Sequence, residues 1–322
     1  MSAALPHDAA AGSRRIEIID ALRGLALVAM ATYHFSWDLE FFGYLDPGTT
    51  THGFLKLYAR AIAGSFLFLA GLSLVLGHYP AVRWPSFGRR LAMIVSAALA
   101  ISAATYVATP DAFIFFGILH SIALASVLGL AFLRLPPLVT LLVGAAVIAL
   151  PQVWRSDLFD ASWLWWVGLT PTPPRSNDYV PLMPWFGMVL FGIAAGRLLS
   201  SSGWLDRLRR APAGPRLLRL AGRHSLAVYL VHQPVLIAIA WLMTLVAPPA
   251  APDPNAAYLR SCELNCNAQP AADPGLCVRF CACTLDRLQQ QNLFADLQSG
   301  AISIDNDERI SRLASECTAA SQ

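Results

Sequence analysis

Charge is what this sequence lacks. Asp, Glu, Lys and Arg make up 13% of its 322 residues, about half the roughly 25% of an average soluble domain. That is too little to coat a water-facing surface, so a soluble globular protein is excluded. No heptad or longer fixed-period repeat is present, and 22 Pro and 21 Gly are ordinary numbers, which removes coiled coils, solenoids, collagen and disordered chains. The net charge is only +3, and the basic residues are scattered between apolar runs rather than gathered in a stripe, so nucleic acid is not an expected partner. What is abundant is apolar surface, 56% of residues with a mean hydropathy of +0.52.

A helix crosses a bilayer core with about 20 predominantly apolar residues. Seven runs read as such spans: Ile18 to Phe35, Phe54 to Leu76, Leu91 to Val107, Phe113 to Leu133, Pro137 to Leu150, Pro184 to Leu199 and Ser225 to Val246. The expected fold is therefore all-α, a polytopic membrane helical bundle of about seven transmembrane helices. The fifth run, bounded by Pro136, Pro137 and Pro151, is short. The first continues through Tyr33, His34 and Asp38 with no small-residue cleavage site, so it reads as a retained span rather than a signal peptide. Placing the N-terminus inside puts fourteen arginines on the cytoplasmic side, among them Arg14, Arg15, Arg23, Arg90, Arg134, Arg197 and the cluster from Arg207 to Arg223, against Arg155 and Arg175 outside. The positive-inside rule selects that orientation.

Seven spans then put the C-terminus outside. All six cysteines, Cys262, Cys266, Cys277, Cys281, Cys283 and Cys317, follow the last span, and an even set confined to one segment reads as disulfides in an oxidising compartment. The expected organisation is a cytoplasmic tail over 1–15, a transmembrane domain over 16–247, a Pro/Ala-rich linker over 248–257 and a small disulfide-rich helical tail of two or three helices over 258–322. Cys262 and Cys266 share one helix face, as do Cys277 and Cys281. An antiparallel hairpin pairs Cys262 with Cys281 and Cys266 with Cys277, leaving Cys283 for Cys317, one of fifteen connectivities open to six cysteines. The rival is a zinc site, but the tail has no His and no paired C-x-x-C knuckles, so no metal is expected.

Ionisable residues at membrane depth are costly and mark functional candidates. Counting from Asp20, His34 lies ~21 Å along the first helix, in its outer third. Asp38 follows at i+4, placed to accept from one imidazole nitrogen and leave the other as a general base. Arg60 and His120 fall at a similar depth in the second and fourth spans. In the seventh, His232 and Gln233 precede Pro234. His52 stands in the first outer loop. A single His fits an interhelical packing hydrogen bond better than a site; the common depth of His34, Arg60 and His120, with a carboxylate attached, favours a site. At the inner end Asp20, Arg23 and Gly24 form D-x-x-R-G, an ion pair three residues apart beside a Gly that admits a close neighbour. The loop before the sixth span gathers Trp154, Trp163, Trp165, Trp166, Asp178 and Tyr179, an interfacial aromatic belt or a platform for sugar rings.

The segments IDALRGLALVAMATYHFSWDL, ARAIAGSFLFLAGLSL, FFGILHSIALAS, DYVPLMPWFG and GRHSLAVYLVHQPVL together resemble the bacterial branch of the heparan-alpha-glucosaminide N-acetyltransferase catalytic-domain family, within the wider group of transmembrane acyltransferases. With the orientation read from the arginines and cysteines, N-terminus cytoplasmic and C-terminus periplasmic, the expected location is the bacterial inner membrane, as a multi-pass protein. The resemblance implies acyl transfer from cytoplasmic acetyl-CoA to an amine or hydroxyl of a glycan or amino sugar on the far side. In lysosomal members a luminal-loop His is implicated. Here that loop holds His52, whereas His34 lies in the bacterial-type YHFSWDL motif and ranks above it. The Cys-rich tail has no counterpart in the family pattern. On this reading His34 is the base, oriented by Asp38; Arg60 or a second His, with His120 among the candidates, stabilises the oxyanion; and Asp20, Arg23, Asp178, Tyr179, His232 and Gln233 contact substrates. Membrane lipid, acyl-CoA and the glycan acceptor are the expected partners, and a homo-oligomer is compatible. The alternative is a proton-coupled or solute carrier using the same intramembrane His, Asp and Arg groups, which the lack of evident inverted repeats disfavours.

Overall fold

The computed structural model describes residues 16–212, 214–250, 253–267, 273–299, 301–302 and 307–321. Arg14, Arg15 and the rest of the expected tail over 1–15 lie outside them. The described residues form helices and turns without a strand, and the chain divides into two compact units, Met1–Ala247 and Pro248–Gln322.

The first unit contains α1 (Glu17–Phe41), α2 (Gly53–His78), α3 (Trp84–Ala108), α4 (Ile118–Gly129), α5 (Pro137–Val153), α6 (Leu182–Ser201), α7 (Trp204–Arg210), α8 (Arg216–Arg223) and α9 (Ser225–Val246). Five of these, α1, α2, α3, α6 and α9, are long and apolar enough to cross a membrane, while α4 and α5 are shorter apolar helices. The run expected to start at Phe113 becomes helical only at Ile118. Ahead of it the chain pairs with the loop before α6: Asn177 N–H donates to the Ala112 carbonyl at 2.8 Å and Val180 N–H to that of Phe116 at 3.1 Å. Below, "proximal" denotes the end of the bundle where α1 begins and "distal" the end where it finishes.

Without a hydrophobic force between helices in lipid, close packing relies on small residues. A Cβ on Gly71 of α2 would lie 2.0 Å from the Val189 carbonyl oxygen of α6, and one on Gly192 of α6 would lie 2.0 Å from that of Phe68. The two helices thus touch backbone to backbone, with Leu67, Leu74, Val75, Val189, Leu190 and Ile193 buried around the contact. The same device joins α1 to α8: a Cβ on Gly24 would stand 2.0 Å from the Leu218 oxygen, and one on Gly222 1.7 Å from the Asp20 oxygen. His224 breaks the helix after α8, and α9 then runs alongside α1 to the distal end, where the Tyr44 hydroxyl donates to the Ala247 carbonyl at 2.6 Å.

The second unit has four helices among its described residues, α10 (Pro254–Asn267), α11 (Pro274–Gln290), α12 (Phe294–Ser299) and α13 (Glu308–Ser321), against the two or three read from sequence. α10 begins inside the stretch expected as linker, because Asp253 caps it, accepting from Asn255 N–H at 3.0 Å, with Pro254 at the first helical position. The disulfides are Cys262–Cys281, Cys266–Cys277 and Cys283–Cys317, with Cα separations of 5.8, 5.7 and 5.7 Å. This is the pairing expected from the helix faces, and it leaves no thiol for zinc. The core beneath, Leu288, Leu293, Ile310, Leu313 and Cys317, is small, the situation in which crosslinks supply stability.

Candidate functional site

The distal half of the interface between α1 and α9 collects polar side chains from both helices. His34 and Asp38 stand one turn apart on α1, and His232 and Gln233 face them from α9. The rings of His34 and His232 meet edge to face with centroids 5.1 Å apart. Tyr33 lies 5.7 Å from His34, and Tyr229 lies 5.6 Å from His232.

Asp38 does not orient His34, contrary to expectation. It is fully buried, and its Oδ1 accepts from the Gln233 amide at 2.7 Å. Helix α9 brings a fixed amide donor to the carboxylate, which the helical repeat of α1 alone does not reveal. His232 Nδ1 lies 2.5 Å from the carbonyl of Tyr229 and donates to it, so its Nε2 carries a lone pair. That Nε2, Asp38 Oδ2 and Gln233 Oε1 are buried and have no hydrogen-bond partner among the described residues. All three are acceptors. Unpaired buried polar groups cost about 1–3 kcal/mol each, so the cluster is complementary to a ligand that brings N–H or O–H donors.

The remaining candidates lie elsewhere. His120 uses both nitrogens: Nδ1 accepts from Gly117 N–H at 3.2 Å, and Nε2 faces Ser102 Oγ of α3 at 3.2 Å. Since Ser102 itself donates to the Ile114 carbonyl, His120 is the donor of that pair and a tie between α3 and α4. Arg60 is exposed on α2 and forms no hydrogen bond or ion pair with the described residues. Helical rise predicted its depth but not its facing, and the packed face of α2 is taken by residues such as Ile62, Gly64 and Leu67. Exposed His52 precedes α2, its Nδ1 2.9 Å from the Gly48 carbonyl. Its loop is held by Glu40, whose carboxylate accepts from Gly48 N–H, Thr50 N–H and Thr50 Oγ at 2.6, 2.7 and 2.7 Å. Glu40 carried no sequence signature beyond an acid at a helix end.

Asp178 accepts from the Ile118 amide at 2.9 Å, at the N-terminus of α4, where the helix dipole favours a negative charge. Burial pushes its carboxyl up to about 6, opposed by that hydrogen bond, and its charge is felt at Tyr33 and Tyr229. A Cβ on Gly117 would stand 2.3 Å from the same carboxylate oxygen, so any larger residue there would displace the Asp178 carboxylate. Tyr179 donates to the Trp165 carbonyl at 2.6 Å and Trp165 to that of Asp160 at 3.0 Å, so both help build the loop.

At the proximal end Arg23 pairs with Asp20 at 2.9 Å and donates to Ser73 Oγ of α2 at 2.5 Å. Beside it opens a cavity of about 630 Å³. Arg23, Arg90, Arg223 and His224 stand at its proximal rim, Ile94 and Ile122 are among its apolar walls, and Ile118 and Tyr229 line its far part. Arg90 forms no hydrogen bond or ion pair with the described residues. In the sequence it reads only as a topology-setting charge, and Tyr229 only as an apolar-run aromatic; both belong to the cavity.

Residues 15–234 match the family described as heparan-alpha-glucosaminide N-acetyltransferase, catalytic. No curated protein and no solved structure matches the chain.

Proposed function

This chain belongs to the heparan-alpha-glucosaminide N-acetyltransferase catalytic family, and from that premise we propose that it transfers an acetyl group from cytoplasmic acetyl-CoA to an amine or hydroxyl of a glycan on the periplasmic side of the bacterial inner membrane. The observation that carries this reading is the cavity. Its rim is basic where the phosphates of CoA need countercharge, its walls are apolar, and its far part is lined by Tyr229, one ring contact from His232. From Arg23 to His34 is eleven residues of α1, about 16 Å, a length suited to an extended acyl-pantetheine arm. The three unpartnered acceptors of Asp38, Gln233 and His232 bind the donor hydrogens of the incoming amine or hydroxyl. His34 takes its proton as it attacks the thioester carbon.

The test uses the purified chain in lipid nanodiscs with radiolabelled acetyl-CoA and a panel of amino-sugar and neutral glycans. Label is expected on a glycan, with a roughly 100-fold or greater loss of rate for His34→Ala, the usual contribution of a general base. His52→Ala is expected to retain activity. Arg90→Ala is expected to raise KM for acetyl-CoA by about tenfold with kcat unchanged, the pattern of lost uniform binding. Absence of both acetyl-CoA binding and label transfer in the wild type defeats the reading, and a dead His52→Ala beside an active His34→Ala reassigns the base.

A further inference from the structure

Acyl transfer builds negative charge on the thioester carbonyl oxygen, and two groups expected from the sequence to meet it are not placed to do so: Arg60 is exposed, and His120 has committed both nitrogens to Ser102 and Gly117. Tyr229 stands where they do not. Apart from Tyr229, the polar side chains lining the cavity are Arg23, Arg90, Arg223, His224 and Ser225, all near proximal helix ends, and the rest, among them Ile118, Leu119, Ile122 and Leu230, are apolar. The Tyr229 ring is half-buried and packs against three separate apolar clusters, which favours one position of the ring before any ligand arrives. Its hydroxyl makes no hydrogen bond with the described residues, whereas Tyr33, Tyr58 and Tyr179 each have a partner. The ring lies 5.6 Å from that of His232, which in turn lies 5.1 Å from His34.

We propose that the Tyr229 hydroxyl is a catalytic hydrogen-bond donor to the thioester carbonyl oxygen, making the junction of cavity and histidine pair an oxyanion site. The assignment rests on the acyl-transfer reading above. As the acceptor nitrogen or oxygen bonds to the carbonyl carbon, the carbonyl π pair moves onto oxygen and is held by the Tyr229 O–H, which keeps its proton. The acceptor's proton passes to the imidazole of His34. When the tetrahedral intermediate collapses, the C–S bond breaks, the oxygen returns its pair to carbon, and the imidazolium gives its proton to the CoA sulfur. The products are the acetylated acceptor and free CoA thiol. A preorganised donor of this kind needs no reorganisation at the moment of reaction.

Tyr229→Phe keeps the ring and its packing while removing the hydroxyl. It is expected to lower kcat on the order of 100-fold, the usual cost of one oxyanion donor, with KM for acetyl-CoA and the melting temperature unchanged. A dithioester donor, whose thiocarbonyl sulfur accepts hydrogen bonds poorly, separates this role from a structural one: with it, wild type and Tyr229→Phe are expected to differ by less than about threefold. Site-specific 3-fluorotyrosine, which restores a hydroxyl, is expected to keep activity even if Tyr229→Phe folds badly. An unchanged kcat, an equal penalty with both donors, an effect confined to KM, or an inactive fluorotyrosine protein overturns the assignment. A wild type that transfers no acetyl group defeats the acyl-transfer reading instead, and this assignment with it.

Discussion

Gly222→Ala tests how far the site depends on the contact of α1 with α8. The added carbon would lie 1.7 Å from the Asp20 carbonyl oxygen, 2.7 Å from its carbon and 2.9 Å from the Gly24 nitrogen. All three are backbone atoms, so no side chain can rotate out of the way. Ordinary contact starts at 3.4 Å, and the helices must therefore part locally by about 1.7 Å, at a cost of roughly 1–3 kcal/mol for overpacking. The displaced helix supplies Arg223 to the cavity rim and leads through His224 into α9, which carries Tyr229, His232 and Gln233. Misplacement of reacting groups by about 1 Å costs on the order of 100-fold in rate. Gly222→Ala is thus expected to lower the melting temperature in detergent and to cut acetyl transfer about 100-fold. Leu217→Ala on the same helix, at a side chain 78% exposed, is expected to change neither. Wild-type melting and turnover in Gly222→Ala would refute the close packing of these helices and its bearing on the site.

Asp178 gives a pH signature. Its carboxyl titrates near 6 in the folded chain against an ordinary 3.8, so between those values the folded state binds a proton that the unfolded state has lost, and this group's contribution to stability declines as pH rises from about 4 to 6. The melting temperature of wild type minus that of Asp178→Asn is expected to fall across that window, and a flat difference excludes the raised value. For the tail, denatured but unreduced protein is expected to take up no alkylating reagent, and peptide mapping to recover Cys283 linked to Cys317; free thiols in stoichiometric amount would remove the disulfide framework.

Apolar run length and cysteine spacing were legible because each is a one-helix property. The spans, the short fifth helix, the Asp20–Arg23 pair and the two disulfides of the α10–α11 hairpin follow from rise and facing within single helices or one hairpin, and Cys283–Cys317 follows as the pair left over. What sequence did not give was which faces meet. Asp38 and His34 share a face of α1, yet the carboxylate's partner comes from α9, 195 residues on. Arg60 was placed by depth alone, and depth carries no information about rotation around the helix axis. Tyr229 and Arg90 were invisible for the complementary reason. An aromatic in an apolar run and an arginine at a helix end already have sufficient explanations in membrane partition, and only the cavity between α3, α4 and α9 gives them a second one.

The same cavity separates the enzyme reading from a carrier. A proton or hydrated solute needs polar groups at close intervals along its whole path, because each unpaired charge in an apolar stretch is costly. Here the polar side chains gather at two stations: the arginine rim at the proximal end, and the His34, Asp38, His232 and Gln233 cluster in the distal half. Beyond the rim the cavity is lined largely by side chains such as Ile94, Ile122, Leu226 and Leu230. His120, the group best placed to extend a relay toward the distal surface, is held by Ser102 and Gly117. Apolar walls beyond an arginine rim suit the proposed neutral thioester arm, whose phosphates would stay behind. Proteoliposomes with a pH-sensitive dye should therefore show no proton or solute flux that depends on His34, and flux lost in His34→Ala without any loss of acetyl transfer would reverse the order of the two readings.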